Sequence, residues 1–131
     1  LRDSTFQQVH DLWQRLDAAI LGASSLTEGT SMFRSGIFSA EELTLLRNAG
    51  AVAATNFLFL TQEGTIVSNP LSERIVCIPE HLMRKAPNVI VAAGGADKAF
   101  AIAATLRSGL AHTLITDAET AELLVQRTQA D

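Results

Sequence analysis

At 131 residues, of which 47% are hydrophobic and 18% charged, the chain is long enough for one compact domain and short for two, and its composition excludes a disordered protein. A formal net charge of −4 argues against this segment gripping a phosphate backbone, because nucleic-acid modules cluster Lys and Arg. No run approaches the ~18 consecutive apolar residues of a membrane span, so no membrane partner is expected.

The chain opens on Leu1 and shows no basic region followed by a short apolar run, so no signal peptide is visible and a piece of a longer, cytoplasmic protein is expected. Phe6, Val9, Leu12, Trp13 and Leu16 recur at spacings of three and four, which predicts an amphipathic helix over residues 4–16. "LDAAILGAS" predicts a short buried strand ending at Gly22. Residues 24–36 are rich in Ser, Thr and Gly and predict a long loop, a place where ligands are often met. Ser39 and Glu42 have the spacing of a capping box, opening a helix through Leu43, Leu45, Leu46 and Ala49 that stops at Gly50. "AVAATNFLFLT" predicts one long strand, "QEG" a turn and "TIVS" an antiparallel return strand.

"RIVCI" predicts a further short strand. Its Cys77 is the single cysteine, cannot staple the fold, and reads as a small buried hydrophobe in a reducing compartment. Pro79 is expected at the first position of the helix "PEHLMRKA". There follow the strand "NVIVAA", a helix over 96–108, the strand "HTLITD" and a last helix, "AETAELLVQR", capped by Asp117. Apolar strands that alternate with helices predict an α/β domain with a largely parallel sheet covered on both faces. In such folds ligands bind beyond the carboxyl ends of the strands.

One strand-to-helix junction, "VIVAAGGADKAF", carries chemistry. Gly94 and Gly95 permit unusual backbone dihedrals and close approach to their amides. With the unpaired N–H groups of the following helical turn, including that of Ala96, they predict an anion site suited to a phosphate. Lys98 falls in that first turn, where the helix dipole disfavours a cation by roughly 0.3–1 kcal/mol. It could repay that cost by pairing with the same anion or offering an amine to a carbonyl, or it could be a solvated lysine relieved by Asp97. The residues alone leave both open. The helix after Lys98 is apolar nearly all round, which predicts cover on both sides, one of them a possible neighbouring subunit.

Other chemistries lack support. The junction has neither the G-x-G-x-x-G of a dinucleotide site nor the G-x-x-x-x-G-K-[ST] of an ATPase loop. His10, His81 and His112 are scattered without ligand spacing, so no metal is expected, and no cofactor. No G-x-S-x-G serves the serines at 24, 25 and 31, and Glu41 and Glu42 suit a helix start. No catalytic residue is assigned.

"GIFSAEELTLLRNAGAVA" and "VIVAAGGADKAFAIAATLRSGLAHTLITDAETAELL" contain S-A-E-E-L, G-A-V, A-G-G-x-x-K-x-x-A-I, L-R-x-G and L-I-T-D-x-x-T-A in order. Over about residues 17–125 the sequence resembles the second half of the effector-binding domain of SorC-type bacterial transcriptional regulators. The resemblance implies a fold similar to glucosamine-phosphate isomerase, ribose-phosphate isomerase and CoA-transferase, retained as a sensor. Residues 1–131 would be the second half of that domain, without its first half and the N-terminal helix-turn-helix through which DNA would be bound. It implies a sugar or sugar-phosphate effector, a homo-oligomer, and a ligand role for Lys98 with Gly94 and Gly95. The runner-up is a sugar-phosphate isomerase or deaminase fragment, for which Asp97 and Asp117 are the nearest candidate bases.

The sequence also departs from the family. Many relatives follow G-A-V with Gly-Asp; here Ala53 and Ala54 stand there, so the usual acid for a sugar hydroxyl is missing and Thr55 or Asn56 is expected to substitute. Asn56 is expected on a strand, as a ligand group or as a buried hydrogen-bonded side chain. Arg34 could clamp a second phosphate or stand as an exposed surface arginine.

Overall fold

The computed structural model describes residues 4–27 and 29–130. Helix α1 spans Ser4–Trp13, strand β1 Ala18–Leu21, β2 Ser24–Ser25, α2 Ser31–Arg34, α3 Ala40–Asn48, β3 Ala53–Thr55 and β4 Leu58–Leu60. A 3-10 turn at Pro70–Arg74 leads to α4 (Glu80–Met83), β5 (Asn88–Ala92), a second 3-10 turn at Ala96–Lys98, α5 (Ala99–Arg107), β6 (Thr113–Ile115) and α6 (Ala118–Ala130). The region expected as open loop, 24–36, therefore contains β2 and α2.

The strands form two sheets. One is parallel, in the order β1-β5-β6, with Ala19 opposite Val89, Leu21 opposite Val91 and Val91 opposite Leu114. The other, absent from the sequence expectation, is antiparallel in the order β2-β3-β4. It arises because "AVAATNFLFLT" is not one strand. Asn56 and Phe57 both take left-handed backbone angles, φ 47° and 58°, and reverse the chain so that Thr55 faces Leu58. Two consecutive positive φ values make the tight turn whose twist suits a hairpin. A phenylalanine is a poor advertisement for it.

The return at "TIVS" is reduced to a single antiparallel bridge, Leu60 to Ile66, and a bond from the Val67 amide to the Phe59 carbonyl at 2.8 Å. "RIVCI" is not a strand. Its apolar residues plug the interior instead, Ile75 beside the Phe38/Phe59 core and Ile78 beside Val89. Cys77 is half-buried, and burial pushes its thiol pKa up. Pro79 is the N-cap of α4, at φ −61° and ψ 144°, one residue earlier than expected.

The centre of the molecule is α5. Ala101 and Ala104 meet Ala53 and Leu60 of the antiparallel sheet, while Ile102 and Ala103 meet Val91 and the Leu124 of α6. Small side chains let the helix lie close to both sheets. Its apolar surface is thus covered on both sides by its own chain, so a neighbouring subunit is not needed for that cover. On the far side of the antiparallel sheet, α3 buries Leu43 and Leu46 against Phe38 and Phe59, whose rings meet edge to face at 5.7 Å. Each buried leucine is worth about 1.5–3 kcal/mol over exposure.

Val89 and Val91 of β5 are wholly buried on the face of the parallel sheet that carries the helices. The opposite face is open: Ile20 is 74% exposed and Ile115 59%. The sequence predicts cover on both faces, because β1 and β5 are apolar on both; within the described residues only one is covered. Helix α1 buries no residue of its own, though Trp13 packs against the core cluster that contains Met83 and Val89.

Candidate functional site

The site is built where β5 and β6 end side by side. The last paired residues are Ala92 and Ile115, and the Ala93 amide extends the ladder by donating to the Ile115 carbonyl at 3.1 Å. Beyond that point β5 turns through Gly94 and Gly95 into the 3-10 turn and α5, and β6 turns through Thr116 and Asp117 into α6. Both junctions thus open at the carboxyl edge of the sheet.

Gly95 adopts φ 112°, a region barred to side chains, and a Cβ on Gly94 would collide with the Asp117 carboxylate. These are the physical reasons for two glycines here. The Gly95 amide is not available to an anion: it donates to Asp117 Oδ2 at 3.0 Å and to Thr120 Oγ1 at 2.9 Å. The neighbouring amides of Gly94, Ala96 and Asp97 donate to no acceptor among the described residues. Ala96 and Asp97 are exposed, as is Gly94.

Lys98 ends the 3-10 turn and is the N-cap of α5; it is half-buried. No carboxylate lies within ion-pair reach of it among the described residues. Asp97, which would have relieved it in the solvated-lysine account, points its Oδ1 at Gly95 instead. A half-buried cation at the positive end of α5, beside unpaired amides, is an arrangement that favours an anion.

Asp117 caps α6. Its Oδ1 accepts from the Thr120 amide at 2.8 Å and its Oδ2 from the Thr120 hydroxyl at 2.7 Å. The Thr120 hydrogen bonds, and then that from Gly95, hold its pKa below the ordinary aspartate value. Thr120 itself is wholly buried. Thr116, between β6 and Asp117, has a buried Oγ1 without a hydrogen-bond partner among the described residues.

Among the described residues, Asn56 and Arg34 are not joined to this turn by any hydrogen bond or ion pair. Asn56 sits at the β3–β4 hairpin rather than on a strand, and its Nδ2 donates to the Ile78 carbonyl at 3.0 Å. Thr55 is buried, its hydroxyl donating to the Gly22 carbonyl at 2.8 Å. Both groups expected to replace the missing acid are therefore engaged in holding the hairpin. Arg34 is an exposed residue at the end of α2. Thr120 was not given a role from the sequence, although it is the second threonine of the L-I-T-D-x-x-T-A motif and stands three residues after Asp117, the spacing of a cap. Among the described residues no group of three His, Cys, Asp or Glu could hold a metal ion, and no helix is long and apolar enough to cross a membrane.

Residues 1–126 match the family described as "Putative sugar-binding domain". The chain belongs to this sugar-binding domain family. Among its relatives is the "Deoxyribonucleoside regulator" of Bacillus subtilis, 27% identical over 124 residues, an alignment that takes in 95% of this chain and 39% of that protein. The full-length sorbitol operon regulator SorC of Klebsiella pneumoniae has a similar structure, at TM-score 0.84 and 26% identity, over 95% of this chain and 40% of that one. A transcriptional regulator from Streptococcus pneumoniae superposes at TM-score 0.86 and 22% identity, over 98% of this chain and 49% of that one, which supports the fold alone. The resemblance to SorC-type regulators seen in the sequence thus holds, and the chain spans about two fifths of the curated regulator's length.

Proposed function

We propose that this sugar-binding domain senses a phosphorylated sugar on behalf of a transcriptional regulator and does not turn it over. The observation that carries the proposal is the half-buried Lys98, unpaired among the described residues, beside the amides of Gly94, Ala96 and Asp97, open among the same residues, at the carboxyl edge of β5. The phosphate would take those amides and the Lys98 ammonium; Gly95 supplies backbone geometry rather than a donor. Asn56 and Arg34 stand outside this arrangement, so the sugar hydroxyls would be read by groups other than Asn56 Nδ2.

The domain would be the second half of a larger effector-binding unit, related to sugar-phosphate isomerase folds but without their turnover. DNA would be contacted by a helix-turn-helix outside residues 1–131, the working protein would be a cytoplasmic homo-oligomer, and the effector would act by preferring one of its arrangements. Asp117, which an enzymatic account would cast as the base, favours the sensor: both its oxygens already accept hydrogen bonds and it caps a helix.

The test is isothermal titration of the full-length protein with hexose and pentose phosphates and their parent sugars, alongside Lys98→Ala. A charge-assisted contact is worth ~1.5–3 kcal/mol, so loss of the ammonium should raise the Kd for the best phosphate at least tenfold. Equal affinity in Lys98→Ala would remove the lysine from the site, and formation of an isomerised or deaminated product would replace the sensor by the enzyme.

A further inference from the structure

A closed set of hydrogen bonds beside the turn touches none of the open amides. The Thr120 hydroxyl sends its proton to Asp117 Oδ2 at 2.7 Å, which leaves its oxygen lone pairs free for the Gly95 amide at 2.9 Å; the same amide also reaches Oδ2 at 3.0 Å. The three groups close a triangle in which every donor and acceptor role is set. Thr120 is wholly buried, and a buried hydroxyl is tolerated only when so bonded. The carboxylate that closes the triangle is also the cap of α6, through Oδ1. The turn after β5 and the turn after β6 are therefore one unit.

We infer that Asp117 and Thr120 are positioning residues for the effector: by engaging the Gly95 N–H they fix the Gly94-Gly95 turn with its φ of 112°, and so set the amides of Gly94, Ala96 and Asp97 and the start of α5 that carries Lys98. The inference rests on the proposal that this turn holds the effector. A strained backbone persists only where its surroundings over-determine it, and here the surroundings are this carboxylate and this hydroxyl. The carboxylate also bars the Gly95 position to a phosphate by like charge, which leaves the anion the Lys98 side of the turn.

The position offers a substitution that separates positioning from folding. In Asp117→Asn the amide oxygen still caps α6, since asparagine caps as well as aspartate, but the second atom becomes an N–H donor that faces the Gly95 N–H and cannot accept from it, which leaves Gly95 the Thr120 hydroxyl alone. Thr120→Ser keeps the hydroxyl and should keep the clamp. The full-length protein, wild type and both variants, is titrated with the same panel of hexose and pentose phosphates, and exchange of the Gly95 amide is followed by NMR.

In Asp117→Asn the Gly95 amide should exchange at least tenfold faster and the Kd for the best-bound phosphate should rise about tenfold, while the helix content of the protein is kept. Thr120→Ser should leave both within about threefold of wild type. Faster Gly95 exchange with an unchanged Kd would make the triangle a fold element only, and unchanged exchange would mean that the Asp117 carboxylate does not hold Gly95; either overturns the inference while the Lys98 proposal stands. Wild-type protein that binds no phosphorylated sugar overturns the proposal beneath it.

Discussion

Lys98 and its two glycines could be found in the sequence because each breaks a local rule: a cation at a helix start and a pair of flexible residues between two regular elements. What the sequence did not reveal is which amides remain open. That depends on Asp117 and Thr120, more than twenty residues away along the chain, reaching the Gly95 N–H. Asn56 misled for a related reason, since its left-handed turn is shared with Phe57, a residue that carries no turn signal. Gly95→Ala should distort the turn outright, because φ 112° is closed to a Cβ, and it is expected to weaken phosphate binding as severely as Lys98→Ala in the same titration. Gly64 gives a control remote from the site. It has φ +84° and its Cβ would strike the Ser108 amide nitrogen and the Arg107 carbonyl carbon, both backbone. Gly64→Ala should cost at least ~1–3 kcal/mol in chemical denaturation, the usual range for overpacking, with backbone strain in addition.

At the scale of elements, caps were the most legible feature. The Ser39/Glu42 box forms as expected, with the Glu42 amide donating to Ser39 Oγ at 3.2 Å and the Ser39 amide to Glu42 Oε2 at 2.9 Å. Ser39→Ala should therefore destabilise the protein by about 1 kcal/mol, measured by denaturant midpoint. Asp117 and Glu42 both contribute to the loss of stability in acid. Both carboxyls are held below their ordinary pKa, Asp117 chiefly by the Thr120 amide and Glu42 chiefly by the Ser39 amide, so the unfolded chain takes up protons first. Their stabilisation is complete above the ordinary carboxylate range and is lost as pH falls below about 4. A pH series of melting curves should show Asp117→Asn and Glu42→Gln flattening that loss. Strands were less legible than caps. Short apolar runs such as "RIVCI" satisfy a strand pattern equally well as core plugs, since burial rather than pairing is what the pattern reports.

For the molecule as a whole, the α/β class follows from the alternation of β5, α5, β6 and α6, while the second, antiparallel sheet depends on a hairpin without a glycine. The open face of the parallel sheet is the largest departure from expectation. Parallel sheets are normally covered on both sides, and Ile20 and Ile115 are not. In residues 1–131 alone, Ile20→Lys should shift stability by no more than ~0.5 kcal/mol, as for a surface site, and reduce self-association in sedimentation experiments. A larger cost in the full-length protein would show that another part of the polypeptide packs there. The central claim, that the turn after β5 senses a phosphate, is tested most directly by thermal denaturation of the full-length protein with matched sugars and sugar phosphates. A phosphorylated sugar at one hundred times its Kd should add about 2.7 kcal/mol of apparent stability, its parent sugar far less. Equal stabilisation by the parent sugar, or none by any phosphate, would contradict the account.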